Sequence, residues 1–217
     1  LWEALESGGY GHPRSTHREF GNPSKIRIRD TFTSTSSHAT HVAGTLAGIG
    51  VDPSARGLAP GALIDAYDAN NSLSEMTAAG APSLGAVNKL RISNHSYGFS
   101  RGWYGNGWYG EFSDDGNPAN DFPRFGIYTE TPRVLDALLA NLPYYLPFYS
   151  SGNDRNDGPP QAGVQWYHNG SGTSRSYDPA RHPRGDGQYK NGFDLLSDAQ
   201  TAKNAMIVGA VDDAVTS

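Results

Sequence analysis

The stretch that most constrains the fold is residues 36–45, which read SSHATHVAGT. Two serines stand where a helix N-cap is expected, and the small residues that follow allow a helix to pack closely. His38 falls just inside the predicted helix start, where the helix dipole disfavours a positive charge. A histidine that stays neutral at this position can act as a general base.

Two other interpretations of His38 and His41 stay open at this point. Both side chains could be buried, hydrogen-bonded histidines of a packed helix. Their spacing also allows metal ligation, although zinc-binding helices use H-E-x-x-H and no glutamate separates these two residues. The residues alone therefore predict a helix with chemically capable side chains, without choosing between the roles.

Length and composition exclude several classes of function. The chain has 217 residues, enough for one α/β domain with a sizeable core. Its formal net charge of −5, with no basic run, argues against a nucleic-acid partner. The absence of cysteine excludes a disulfide framework and thiolate chemistry. No apolar run is long enough to span a membrane, and no signal peptide is recognisable, so no membrane partner is predicted.

Several motifs resemble blocks of the subtilisin-like serine proteases, the subtilases. SSHATHVAGTLAG resembles the family's active-site histidine block, with Ala39 in place of the usual glycine. GLAP at 57–60, SYG at 96–98, SGN at 151–153 and VGAV at 208–211 follow in the family's order. The resemblance implies a three-layer α/β/α fold with a mostly parallel sheet. It also implies peptide-bond hydrolysis through an acyl-enzyme, with a polypeptide as substrate, His38 as the base and His41 in a structural role.

The acidic member of the triad is less clear, because residues 1–20 contain no aspartate. In subtilases the first catalytic strand ends in Asp-Ser/Thr-Gly, and Glu6-Ser7-Gly8 is the best match. Glu6 also lies 32 positions before His38, close to the family's spacing. Glu3 is the second candidate, since Trp2-Glu3 could also end a strand. Either glutamate could accept a hydrogen bond from the imidazole as aspartate does, and a surface glutamate beside a turn is the remaining interpretation.

Two further blocks carry substrate-binding roles by resemblance. Ser96, Tyr97 and Gly98 correspond to the strand end that pairs with an extended substrate and lines the specificity pocket. Residues 150–154 resemble the family's A-A-G-N block. Within it Ser151 and Gly152 are expected at the substrate, and Asn153 is the expected oxyanion-hole donor.

The nucleophile is expected outside the 217 residues. Gly172-Thr173-Ser174 spells the family's Gly-Thr-Ser, but it precedes the VGAV block and lacks the helical pattern that should follow. Ser174 is therefore predicted to be a loop serine. Leu1 at the start, and Ser217 with no closing element after it, lead us to expect a fragment cut before the catalytic serine.

Secondary structure outside the motifs follows the same family order. Strands are predicted at 62–67, 90–98, 144–149 and 203–212, and helices at 74–79 and 132–139. We expect one partial catalytic domain with two insertions. Residues 99–128 hold two Gly-Trp-Tyr-Gly sequences, at 102–105 and 107–110, and are predicted to form a rim loop near the substrate cleft. Residues 155–200 are polar and are predicted to contribute little core.

Expectations about calcium binding and about cellular location rest only on the resemblance to subtilases. Subtilases often carry calcium in the loop after the histidine helix, but residues 48–56 contain a single carboxylate, so no cofactor is expected. The family implies a secreted, extracellular or periplasmic protein. A second hypothesis is a catalytically inactive subtilase fold that binds peptide or carbohydrate, which glutamate in place of aspartate and the aromatic insertion both allow.

Overall fold

A computed structural model describes residues 1–3, 11–31, 34–168, 173–192 and 195–211. The chain divides into two compact units. The first comprises Leu1–Tyr97 and Leu138–Tyr149, and the second Gly98–Ala137 and Ser150–Ser217. The expectation of a single catalytic domain carrying two insertions stays a prediction.

The first unit is built on a parallel sheet with strand order β7-β4-β1-β3-β2. Its strands are β1 (Trp2–Glu3), β2 (Ile26–Ile28), β3 (Ile64–Asp68), β4 (Ile92–His95) and β7 (Leu146–Ser150). Because all five strands run the same way, their carboxyl ends meet at one edge, where α/β proteins place their ligands. The predicted α/β class with a mostly parallel sheet is confirmed.

The histidine helix α1 (Ser37–Ala47) begins where the sequence predicts it. The Ser36 Oγ accepts a hydrogen bond from the Ala39 N–H at 3.1 Å, which satisfies one of the free donors at the helix start. Ala39, Ala43 and Ala47 are buried at four-residue intervals. This small-residue face lets the helix pack closely, as the sequence indicates.

The core of the first unit joins that face of α1 to β2 and β3. Its buried members are Leu1, Phe20, Ile26, Ala43, Ala47, Ile64 and Ala66. The alternating burial of β3 shows that one face of the strand meets this core, as expected for period-two side chains. Helix α2 (Ser72–Ala79) follows β3 and buries Met76.

A ladder of stacked rings crosses the middle of the same sheet. Trp2 stacks on Tyr67 with ring centroids 4.3 Å apart and on His95 at 5.1 Å, and His95 stacks on Tyr149 at 4.4 Å. These pairs follow the strand register, in which Trp2 faces Tyr67 and His95, and His95 faces Tyr149. Slipping β1 by one residue would turn Trp2 out of the ladder, so the stacking fixes the register next to Glu3.

The second unit has a four-stranded sheet of order β5-β6-β8-β9. Its strands are β5 (Trp103–Tyr104), β6 (Gly107–Trp108), β8 (Gln165–His168) and β9 (Ser174–Ser176). β5 and β6 form a hairpin with a two-residue turn, whose first residue, Gly105, has φ +57°. A positive φ at this turn position favours glycine. Helix α3 (Glu130–Asn141) contains residues of both units, and β10 (Met206–Val208) belongs to the second.

Four aromatic residues form the core of the second unit: Trp103, Trp108, Trp166 and Tyr177. The three tryptophans are fully buried. The expectation that residues 155–200 add little core is therefore wrong, because Trp166 and Tyr177 pack against the tryptophans of the repeat. The expected rim loop is also corrected in part, since the tryptophan of each Gly-Trp-Tyr-Gly sequence is interior and cannot stack on a ligand.

The other predicted elements are confirmed with shifted ends. The strand expected at 62–67 is Ile64–Asp68, the helix at 74–79 is Ser72–Ala79, and the helix at 132–139 is Glu130–Asn141. The strand expected at 203–212 covers Met206–Val208, and residue 212 lies outside the described residues. Among the described residues, no helix combines the length and the apolar character that crossing a membrane requires.

Candidate active site

Glu3 occupies the carboxyl end of the central strand of the first unit. It belongs to β1, between β3 and β4, and its Cα is paired with that of Asp68. The residue is completely buried. A buried carboxyl group needs hydrogen-bond partners to offset its lost hydration. Among the described residues the Glu3 Oε1 has none, whereas Oε2 is within reach of such partners.

His38 is one of those partners. Its Nδ1 lies 2.9 Å from the Glu3 Oε2, and the imidazole is 36% exposed. The capped start of α1 presents the ring to the strand end, with one nitrogen on Glu3 and the ring partly open to solvent. A histidine held at Nδ1 by a buried carboxylate is the arrangement of a general base and its orienting acid.

The protonation state of Glu3 sets the tautomer of this pair. Burial raises the pKa of Glu3 to about 8. An ionised Glu3 accepts from Nδ1–H and leaves Nε2 with a free lone pair. A protonated Glu3 donates to Nδ1 and leaves the proton on Nε2, which cannot then act as a base.

Glu6, the preferred acid of the sequence prediction, lies outside the described residues. Glu3, the second candidate, makes the contact with His38 that the structure describes. The sequence also points to Glu3, because an apolar Trp2 followed by an acid is typical of the end of a strand. The spacing of Glu6-Ser7-Gly8 from His38 favours Glu6 in the sequence prediction.

In the part of the chain that the structure describes, His41 is neither a buried histidine nor part of a metal-ligand group with His38, the two alternatives left open by the sequence. It is exposed, one turn further along α1, and lines a surface groove with Arg14 and Thr45. The interpretation of His38 and His41 as two buried histidines is therefore wrong. Among the described residues, the group with metal-ligand spacing is His12, Asp30 and Asp68, and it contains neither of these histidines.

Ser96 and Tyr97 follow β4 in the first unit. The Ser96 Oγ accepts a hydrogen bond from Asn94 Nδ2 at 2.9 Å. The backbone N–H of Ser96 lies near Glu3 and lowers the pKa of that carboxyl group, against the larger effect of burial. The Tyr97 hydroxyl lies 3.1 Å from His95 Nδ1, and burial raises the pKa of Tyr97 to about 12. The Tyr97 ring also packs edge-on against His95 and Tyr149, so its side chain is part of the packing around the ring ladder.

Gly98 and residues 151–153 belong to the second unit. A Cβ at Gly98 would lie 2.9 Å from the Gln200 Nε2, so the Gln200 side chain packs closely over this glycine. The Ser151 N–H donates to the Val208 carbonyl at 2.9 Å, and Gly152 has φ +93°. Asn153 is exposed and its side chain does not cap the following 3₁₀ helix, so its amide is available to a ligand.

Ser174 lies in a strand and not in the predicted loop. It begins β9, the edge strand of the sheet in the second unit, and is exposed. Its neighbours Arg175 and Ser176 continue the strand, so Ser174 does not open a helix as the family's nucleophile does. Ser217 and Gly172 lie outside the described residues.

The loop after α1 does not fit the calcium that subtilases often carry there. The Glu19 carboxylate accepts hydrogen bonds from the backbone N–H groups of Gly50, Val51 and Asp52 at 2.8 to 2.9 Å. Asp52, the loop's own carboxylate, accepts from Ser54. Both Glu19 oxygens and the Asp52 Oδ1 are thus occupied, so the two acids offer few oxygens to calcium, which takes six to eight oxygen ligands. Glu19 holds the loop by direct hydrogen bonds.

Comparison with known proteins gives one match. The model of the subtilase family, peptidase S8, matches residues 8–217. No curated protein and no solved structure matches the chain.

Proposed function

Because the chain belongs to the subtilase family, we propose that it is a serine endopeptidase domain that hydrolyses peptide bonds through an acyl-enzyme. The substrate is a polypeptide, and the site of action is outside the cytoplasm, as is common for subtilases. The observation that carries the proposal is the 2.9 Å contact between His38 Nδ1 and the buried Glu3.

His38 is the general base and Glu3 its orienting acid in this proposal. The base takes the proton of a serine hydroxyl at Nε2 while the oxygen attacks the peptide carbonyl, and later returns that proton to the leaving amine. Glu3 keeps the proton of Nδ1 in place and stabilises the imidazolium as it forms. The exposed imidazole edge supports this role, because the reacting proton must reach Nε2.

Asn153 is the proposed donor to the oxyanion of the tetrahedral intermediate. Its exposed amide, next to a glycine with φ +93°, supports a role in ligand binding. Loss of one such donor typically lowers kcat about 10²–10³-fold. Ser96, Gly98, Ser151 and Gly152 are proposed to offer backbone groups to the extended substrate.

The nucleophilic serine is proposed to lie outside residues 1–217. Ser174 begins an exposed edge strand, whereas the family's nucleophile opens a helix. A serine-directed fluorophosphonate should leave the 217-residue chain unlabelled and should label a chain extended past residue 217 at a later serine. Stoichiometric labelling at Ser174 would overturn this assignment.

The experiment that tests the function compares two histidines of one helix. A chain extended past residue 217 is assayed for hydrolysis of a general protein substrate as wild type, His38→Ala and His41→Ala. Activity should be lost in His38→Ala and kept in His41→Ala, since His41 is exposed and one turn away. Activity in His38→Ala would refute the base assignment. A folded, inactive wild type that still binds peptide would favour the non-catalytic alternative.

A further inference from the structure

A second group of chemically capable side chains lies at the carboxyl edge of the first unit's sheet. His12, Asp30 and Asp68 offer ligand atoms that all lie within 4.8 Å of one another. His12 is fully buried, Asp68 is 5% exposed, and the Asp30 side chain is 15% exposed. Charged groups are seldom buried together without a partner that neutralises them, so this group calls for an explanation.

We propose that His12, Asp30 and Asp68 form a binding site for a divalent transition-metal ion. One imidazole nitrogen and two carboxylate oxygens are a ligand set that suits zinc and its neighbours. The nitrogen ligand argues against calcium and magnesium, which take oxygen ligands. Three protein ligands leave at least one coordination position for water.

The arrangement around the carboxylates supports the site. The Asp30 Oδ2 accepts a hydrogen bond from the Asp68 N–H at 2.7 Å, so its Oδ1 is turned to His12. The Asp68 Oδ1 accepts from the Asn70 N–H at 2.8 Å. Its second oxygen receives no hydrogen bond from the residues that the structure describes. Each carboxylate is thus oriented through one oxygen and offers the other, as in known metal sites.

The backbone on both sides of His12 is also fixed. The His12 N–H donates to the Ser34 carbonyl and the His12 carbonyl accepts from the Ser36 N–H, both at 2.9 Å. Ser36 is the N-cap of α1, so His12 is anchored to the start of the helix that carries His38. A rigid backbone reduces the entropy that a metal must overcome when it orders its ligands.

Small movements of the side chains would convert the hydrogen-bonded His12, Asp30 and Asp68 into a set of metal ligands. The His12 Nε2 and Asp30 Oδ1 are 2.5 Å apart, with a proton between them. Three ligands around a zinc ion at about 2.0–2.2 Å stand roughly 3.3–3.5 Å from one another. Replacing the shared proton by a cation therefore needs a separation of about 1 Å, which rotation of the carboxylates can supply.

An entry route is present. Asp30 and Asp68 line a cavity of about 780 Å³ in the first unit, together with Asp65 and Glu75. Against these four carboxylates the lining includes one cationic side chain, Arg29. The net negative charge raises the local concentration of cations and favours their capture.

The test is metal binding by the 217-residue chain, which requires no enzymatic activity. After treatment with a chelator, the chain is titrated with Zn²⁺ by calorimetry and with Co²⁺ by visible absorption. We expect one ion per chain for each metal and no comparable binding of Ca²⁺. His12→Gln, Asp30→Asn and Asp68→Asn should each weaken Zn²⁺ binding about tenfold or more. His41→Ala, which removes an exposed histidine of the same unit, should leave it unchanged.

Two results would overturn the site. One is a folded wild-type chain that binds neither Zn²⁺ nor Co²⁺. The other is binding that survives in Asp30→Asn and Asp68→Asn but is lost in His41→Ala. Should a variant fail to fold, the wild type still decides through nitrogen-15 NMR of its histidines. Zn²⁺ must shift the His12 ring nitrogens, and a shift confined to other histidines refutes the proposal.

Discussion

Replacing Glu3 by glutamine removes a charge from the proposed catalytic pair while keeping the size of the side chain. The ring nitrogen and the carboxylate oxygen are 2.9 Å apart, which places the centres of the two delocalised charges at about 4 Å. At an effective dielectric constant of 20, two unit charges at that distance attract by about 4 kcal/mol. If this attraction acts only once His38 is protonated in the transition state, Glu3→Gln should lower kcat about 10³-fold.

The assay is hydrolysis of a chromogenic peptide by a chain extended past residue 217, at a pH above 8, where Glu3 is ionised. KM should change little, because the charge interaction is absent from the ground state. Glu6→Gln is the matched control and should keep its activity, with thermal unfolding to verify that both variants fold. A Glu3→Gln enzyme within tenfold of wild type would refute the assignment, and a loss confined to Glu6→Gln would restore Glu6 as the acid.

Four further predictions concern pH and packing. Since burial raises the pKa of Glu3 to about 8, kcat should rise with pH through about 8, and Glu3→Gln should abolish that limb. The folded state keeps a proton that the unfolded glutamate releases near pH 4.5, so Glu3's contribution to stability should fall between pH 4.5 and 8, measured by denaturant unfolding. Gly102→Ala should destabilise the fold by at least about 2 kcal/mol, because φ is +58° and the new Cβ would lie 2.2 Å from an Asp186 oxygen. Gly105→Ala is the control, because φ is +57° there and a new Cβ would have no neighbouring atom within 4 Å, so this variant suffers only the backbone strain. Equal losses of stability in the two variants would contradict the Asp186 contact. Trp166→Ala should cost about 3–5 kcal/mol, and Trp166→Phe much less, because the indole N–H has no partner among the described residues. Equal unfolding midpoints for Trp166→Ala and wild type would contradict its place in the core.

The first unit could be predicted largely from local sequence signals. The cap at Ser36, the buried alanines of α1 and the apolar runs of β3 and β7 each act within a few residues. Local propensity and burial favour the same structure in these elements, so the structure can be predicted from the sequence. The position of His38 at the helix start follows directly from them.

The parts that could not be predicted depend on contacts between distant residues. Trp103 and Trp108 pack against Trp166, which is about 60 residues away in the sequence. Trp166 lies in a polar stretch, so the composition of that stretch does not predict a core residue there. The contact of Glu3 with His38 depends on the register of β1 against β3 and β4, which the ring ladder of Trp2 sets. Glu19 likewise reaches a loop about 30 residues later.

The most direct test of the proposed catalytic pair is proton NMR of the 217-residue chain. An imidazole N–H held by a carboxylate resonates far downfield of other amide and ring protons. Above pH 8 we expect such a signal from His38 Nδ1–H, beside a second one from the His12 Nε2 that contacts Asp30. The His38 signal should be lost in His38→Ala and in Glu3→Gln and kept in His41→Ala and Glu6→Gln. A signal assigned to His38 Nδ1–H that survives Glu3→Gln would contradict the pairing of Glu3 with His38.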